Sequence, residues 1–456
     1  MLLNIKREKG KNIMKIRLSD HFTYRRLLKF TVPSIIMMVF TSIYGVVDGF
    51  FVSNMVGKTP FAAVNFIMPV LMILGSVGFM FGTGGSALIA KTMGEGKKEK
   101  ANRLFTMLVS ATFLVGVITS VVSIIFLPQI ASALGAEGEM LTGCVTYGRV
   151  ILAAIPFFML QFEFQSFFVT AEKPQLGLFV TIASGLTNIA LDALFIMVFK
   201  WGLTGAALAT AASQFIGGVI PLIYFALPNT SLLKFAKFTL DIKALVKTCV
   251  NGSSELMSNI SMSVVSMLYN IQLLKYAGEN GIAAYGVLMY VNMIFLAAFI
   301  GYSVGIAPVV SYHYGAKNHV ELKGLLKKST VIIGVFAIAM FILGEAFAKP
   351  CAYLFVGYDE VLMAMTLRAF FIFSFSYLFA GFSIFGSGFF TALNDGVTSA
   401  LISFVRSLVF QIAAVVIFPL IWELDGIWFS IVAAEIMSVV ITVIFIVLKR
   451  KKYKYL

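Results

Sequence analysis

Charge is scarce in this 456-residue chain: Asp, Glu, Lys and Arg together make up 12% of it, against about 25% in ordinary soluble domains. Cysteine is scarcer still. Cys144, Cys249 and Cys351 are far apart, odd in number and without a CxxC spacing, so neither a disulfide framework nor a thiolate metal site is expected. The three histidines, His21, His313 and His319, stand in or beside charged segments. That placement argues against a histidine proton relay inside a membrane and against an intramembrane enzyme with a His-based site. No GxxxxGK[ST] motif is present, so direct ATP drive is excluded. The glycine-rich GFMFGTGGSA (78–87) lies inside an apolar run and reads as a place for close helix contact. No cofactor and no enzymatic activity are expected.

What the chain has is apolar sequence, 59% of its residues, with a mean hydropathy of +0.94. No folded monomer has enough interior for that in water. Uninterrupted runs such as Leu104–Leu127 and Gly202–Leu227 exclude an outer-membrane barrel, whose strands alternate. Each run can cross a bilayer as a helix of roughly 20 residues. The pattern predicts twelve spans: 30–52, 62–90, 104–127, 145–170, 175–199, 203–227, 248–275, 282–310, 330–348, 364–391, 396–420 and 427–448. The fold class is therefore an all-α polytopic membrane protein. The run after the basic N-terminal segment is too long for a cleaved leader and is read as span one. Met1 and Met14 both remain open as the start.

The net charge of +14 belongs to membrane topology. Lys and Arg cluster between and beyond the spans, with no aromatic-interleaved basic groove, so no nucleic-acid partner is expected. With both termini cytoplasmic, 29 of the 35 basic residues fall inside, and the outer loops carry Glu137, Glu139, Glu279, Asp359, Glu360, Glu423 and Asp425. This follows the positive-inside rule. It places the chain in the plasma (inner) membrane, in contact with lipid, and a monomer is expected.

An internal repeat appears at an offset of 221 residues. Ala62-Ala63 matches Ala283-Ala284, Gly84 matches Gly305, Gly94 matches Gly315, and Phe168 with Thr170-Ala171 matches Phe389 with Thr391-Ala392. Six spans per repeat keep both halves in the same orientation, which is a parallel repeat about an axis along the membrane normal. The expected organisation is a cytoplasmic segment 1–29, a first lobe 30–228, a linker 229–247, a second lobe 248–448 and a cytoplasmic tail 449–456. Two pseudo-symmetric six-helix lobes around a central cavity suit an alternating-access transporter.

Ionisable residues inside a bilayer are costly and hence candidates for function. Asn188 and Asp192, four apart in TNIALDAL, share a helix face. Asp48 lies in GVVDGFF of span one, and Thr210 in ALATAAS of span six. Two carboxylates, an amide oxygen and a hydroxyl make a hard-oxygen site for Na⁺, or a carboxylate pair able to share a proton. At the repeat offset they fall on Tyr269, Val409, Ala413 and Ile431, so the second lobe does not repeat the acidic site. Glu163, in LQFEFQSFF, and Glu255 with Asn259, on a serine- and asparagine-rich span seven, are candidates for a cavity that binds cations. Arg406 and Glu435 read as a structural pair.

These residues carry a resemblance. FTVPSIIMMVFTSIYGVVDGFFVS (30–53), followed by LIAKTMGEGKKEKA (88–101), is similar to the MATE family of multidrug and toxic-compound exporters, in particular its MepA-like and DinF-like branch. The resemblance runs from about Leu18 to Lys449. It implies a first-lobe coupling site at Asp48, Asn188, Asp192 and Thr210, bending of span one at Pro33, and export of lipophilic organic cations against H⁺ or Na⁺. The NorM-like branch adds an Asp in span ten, but FFIFSFSYLFAGFSIFGSGFFTAL (370–393) has no acid, so a complete second-lobe site is not expected. The alternative reading is a flippase of lipid-linked saccharide or another lipid on the same architecture; acidic rather than basic cavity candidates argue against it.

Overall fold

Backbone in a bilayer has no water to bond, so apolar runs must close their hydrogen bonds within helices. The computed structural model describes residues 16–456, and among the described residues there is helix and no strand. Met14 and most of segment 1–29 lie outside the described residues. Span one is Tyr24–Phe51, span two Lys58–Gly94, span three Lys98–Ala133 and span four Gly138–Thr170. Span five is Pro174–Asp192 continued by a π turn, Ala193–Val198, and span six is Gly202–Ala226. Spans seven and eight form the helical stretch Ile242–Gly315, broken at Gly278, whose φ of 62° only glycine adopts easily. Span nine is His319–Val356. Span ten is Glu360–Ser374 with Tyr377–Ala392, bent by 48°; span eleven is Gly396–Ile417 and span twelve Pro419–Tyr453. All twelve expected spans are present.

The helices outrun their apolar cores because polar caps extend them into the interface. Span nine, read as 330–348, begins at His319, where the Asn318 side chain accepts from Glu321 N at 3.1 Å. Span seven likewise starts at Ile242, with Asp241 capping Ala244 N at 3.0 Å, so the last six residues of the expected linker 229–247 are helical. The rest of the linker is pinned to span three. Lys234 N donates to Asn102 Oδ1 at 3.1 Å and Ala236 N to Thr106 Oγ1 at 2.9 Å. The segment before span one is pinned too, and to both lobes. Leu18 N donates to Glu172 Oε1 at 2.8 Å, while Phe22 N donates to Glu321 Oε1 at 2.9 Å. Leu18 and Phe22 are fully buried.

The lobes meet on the face that carries the lead-in to span one, the C-terminal tail and the basic loops, here called the basic face. Glycine makes the contact, because only a residue without Cβ lets two helix backbones touch. A Cβ at Gly84 would collide with Thr248 O, and one at Gly252 with Met80 O, which joins span two to span seven. In the other half, a Cβ at Gly301 or Gly305 would press on residues 31–35, which joins span eight to span one. These are the same contacts related by the repeat. In contrast, a Cβ at Gly45, Gly49 or Gly286, nearer the acidic face, would meet nothing within 4 Å. The glycine-rich stretch of span two behaves as expected: Gly78 and Gly82 seat span four against the backbone at Met159 and Glu163.

Candidate functional site

Spans one, five and six converge inside lobe one and bring Asp48, Asn188, Asp192 and Thr210 together. Thr210 Oγ1 donates to Asp48 Oδ1 at 3.3 Å, and Asn188 Nδ2 donates to Thr210 Oγ1 at 3.4 Å. Asn188 and Asp192 are essentially inaccessible, and Asp48 is 7% exposed. The Asp192 carboxyl lies beside that of Asp48. Among the described residues, neither oxygen of Asp192 finds a hydrogen-bond donor, and the same holds for Asn188 Oδ1.

Unpartnered acceptors at this depth are expensive. Two adjacent carboxylates add mutual repulsion, which a proton or a cation relieves. The chemistry of the cluster therefore fits a small cation: four oxygen-bearing side chains from three helices, two of them carboxylates. Such a site can exchange its occupant only if the helices around it can move.

Backbone irregularity marks where they can. Asp192 is the last α-helical residue before the π turn Ala193–Val198, and Asp48 stands one turn before a second π turn, Val52–Val56. Widened turns of this kind break the helical ladder and are frequent at functional sites. Pro33 lies in a span that remains helical from Tyr24 to Phe51. Its missing N–H weakens the ladder there, and the flanking Thr31, Ser34 and Ile35 are the residues against which Gly301 and Gly305 pack. A bend at Pro33 would therefore act directly on the inter-lobe contact.

The candidate cavity residues separate. Glu255 is half-buried on span seven, one turn beyond the Gly252–Met80 crossing, with Asn259 a further turn along. The Asn259 amide donates back to Glu255 O at 2.9 Å. Glu163 faces no open space in this structure. It is 0% exposed, held within lobe one, because Gly82 brings span two onto its Cα. Both of its carboxyl oxygens lack a hydrogen-bond partner among the described residues. Arg406 and Glu435 do pair, Nε to Oε2 at 2.9 Å and Nη2 to Oε1 at 2.7 Å.

Three residues around the aspartates were not singled out from sequence. Tyr147 of span four is fully buried with its hydroxyl toward Thr210, and Tyr44 of span one neighbours Asp48 and Gln161. Gln161 Nε2 donates to Ser184 Oγ at 3.3 Å, and Ser184 Oγ donates to Ser213 O at 2.7 Å, which ties spans four, five and six below the acids. Tyr44 is four residues before Asp48, a spacing that signals a shared helix face. Nothing in the sequence pointed Tyr147 or Gln161 at the site.

Comparison with known proteins agrees with this fold. The MatE family model matches twice, over residues 33–194 and 256–417, one match in each lobe. Multidrug export protein MepA of Staphylococcus haemolyticus is 27% identical over 319 residues, covering 70% of each chain. MepA of Staphylococcus saprophyticus is 24% identical over 440 residues, covering 94% of each. Among solved structures, MATE in complex with MaL6 superposes with a TM-score of 0.91 at 22% identity, over 96% of this chain and 98% of that one. An outward-facing multidrug resistance MATE family transporter of the MOP superfamily gives 0.91 at 22% identity, over 98% and 100%. With the family model covering more than half of the sequence, this chain belongs to the MATE family.

Proposed function

We propose that the protein is a secondary active multidrug exporter that moves lipophilic organic cations outward in exchange for H⁺ or Na⁺ moving inward. The observation that carries this reading is the Asp48–Asn188–Asp192–Thr210 cluster, buried and short of donors at Asp192. An occupant that neutralises the carboxylates changes the packing of spans one, five and six, and so favours one lobe arrangement over another. An ion gradient then drives transport through that difference in affinity. The glycine contacts close the basic face, so the described arrangement is read as the outward-facing one, with Glu255 and Asn259 at the base of the cleft. The Glu255 carboxyl there, with no matching base placed beside it among the described residues, selects cations. Aromatic and methionine side chains suit varied planar substrates. The protein acts in the plasma membrane as a monomer with both termini cytoplasmic.

The test is uptake of a fluorescent organic cation into inverted membrane vesicles, with pH and sodium gradients imposed separately. Uptake driven by either gradient supports the proposal and identifies the ion. Transport of anionic lipid-linked compounds with no response to either gradient would favour the flippase.

A further inference from the structure

A groove of about 940 Å³ opens on the basic face, away from the aspartate cluster, between the turn joining spans two and three and the lead-in to span seven. Five cations border it: Lys97, Lys98, Lys100, Arg103 and Lys243. Lys97 is engaged by Glu95 at 2.9 Å, and this neighbour holds the Glu95 carboxyl below its ordinary range. The other four have no carboxylate partner among the described residues. Two acids share the rim. Asp241 is committed to capping Ala244 N, and Glu99 lies in the first turn of span three. The rim thus carries a net positive charge with four unpaired cations.

The second observation is apolar. Ile242, Val246 and Val250, spaced four apart along span seven, run from the groove toward the membrane and are 63%, 56% and 43% exposed. Phe238 and Leu240, just before them, are also more than half exposed. A surface with cations at one end and a bare aliphatic stripe leading from them has the polarity of a glycerophospholipid: phosphate diester above, acyl chain below. The linker hydrogen bonds to Asn102 and Thr106 hold the groove open in advance, so no ordering of backbone opposes binding.

We infer that this groove is a binding site for an anionic glycerophospholipid, whose phosphate sits among Lys98, Lys100, Arg103 and Lys243 and whose acyl chain lies along Ile242, Val246 and Val250. The bound lipid fastens the inter-lobe linker to span three.

Native mass spectrometry of the purified full-length protein, titrated with dioleoyl phosphatidylglycerol or dioleoyl phosphatidylcholine, tests this. The parent should retain one tight phosphatidylglycerol adduct and no matching phosphatidylcholine adduct. The Lys98→Gln/Lys100→Gln/Arg103→Gln/Lys243→Gln variant should weaken that adduct at least tenfold, since each cation near a lipid surface contributes roughly fivefold. The control Lys323→Gln/Lys327→Gln, also on the basic face, should leave it unchanged. The Ile242→Ser/Val246→Ser variant should weaken the lipid adduct but not the binding of glycerol phosphate. Equal loss in the control would overturn the site in favour of diffuse surface charge. Glycerol phosphate competing as well as the whole lipid would make it a site for a soluble phosphate and overturn the lipid assignment. Failure of gradient-driven export in vesicles would leave this result untouched, so the two proposals stand or fall separately.

Discussion

Gly94 and Gly315, equivalent positions of the two halves, press against each other's helices at the basic face: Gly94 on the backbone at Tyr312, Gly315 on the backbone at Lys91. Backbone cannot repack as a side chain can, so a Cβ at either position must push the helices apart. Gly94→Val or Gly315→Val should part spans two and eight at this face and shift the protein away from the closed arrangement. Spin-label distances between the basic ends of these spans should lengthen by several ångströms, and gradient-driven export should fall at least tenfold at unchanged membrane level. Parent-like distances would show that the contact does not hold the lobes.

Arg406 and Glu435 form a two-pronged pair in lobe two, 16% and 5% exposed at their side chains. At the repeat offset they fall on Gly185 and Gln214 in spans five and six, the helices that carry the first-lobe cluster. Arg406 lies within the π turn Val405–Phe410, so the irregularity seen beside the aspartates recurs here around a self-neutralised charge. Removing one partner leaves a buried charge and should cost about 3–5 kcal/mol. Thermal unfolding of Arg406→Gln and Glu435→Gln should show that loss, while Arg406→Met/Glu435→Met recovers most of it. If the double variant is as unstable as the singles, the pair does more than neutralise itself.

The spans, the repeat and the shared helix face of Asn188 and Asp192 were legible in the sequence, because bilayer length and helix spacing are local constraints; that Asp48 and Thr210 join them was implied by the family resemblance. The enclosure of Glu163 was not. Its position depends on Gly82, some 80 residues away, meeting its Cα on another helix. The docking of Leu18 and Phe22 was equally hidden. A short polar-looking lead-in gives no sign that Glu172 and Glu321 will accept its backbone N–H groups.

Asp395, in the turn between spans ten and eleven, holds the end of span twelve. Burial pushes its carboxyl up, but the Tyr453 hydroxyl at 2.7 Å, the Thr398 N–H, Lys449 and Lys452 outweigh this and leave it below its ordinary range. A lowered value means the stabilisation is fully present above about pH 4 and is lost as pH falls through the folded value. Asp395→Asn should destabilise by about 1–3 kcal/mol at pH 7. Parent and variant melting temperatures should then converge as pH drops below 4. A constant gap across that range would contradict the charge-based account.

The proposed orientation rests on charge alone and is checked by labelling. In a cysteine-free background, single cysteines at Lys97 and Lys323 should react only from the cytoplasm, and one at Glu139 only from outside. Labelling of Lys97 from outside would reverse the direction of transport.

The aspartate cluster makes the sharpest claim. Among the described residues Asp192 has no donor for either oxygen, and Asp48 has Thr210. Two such carboxyls in a low-dielectric interior cannot both stay charged and empty, so occupancy by a proton or Na⁺ is coupled to their approach. Asp192→Asn and Asp48→Asn each remove one charge and keep the shape. Either should abolish gradient-driven export while the protein inserts and folds. In at least one, substrate binding in detergent should survive but no longer respond to pH or sodium. Tyr147→Phe removes only a hydroxyl that faces Thr210, so it should retain export and shift its dependence on pH or sodium. That graded result separates a site that reads the ion from helices that merely need polar packing. If both Asn variants pump at the parent rate, the coupling site lies elsewhere, and Glu255, the half-buried acid of span seven, becomes the residue to test.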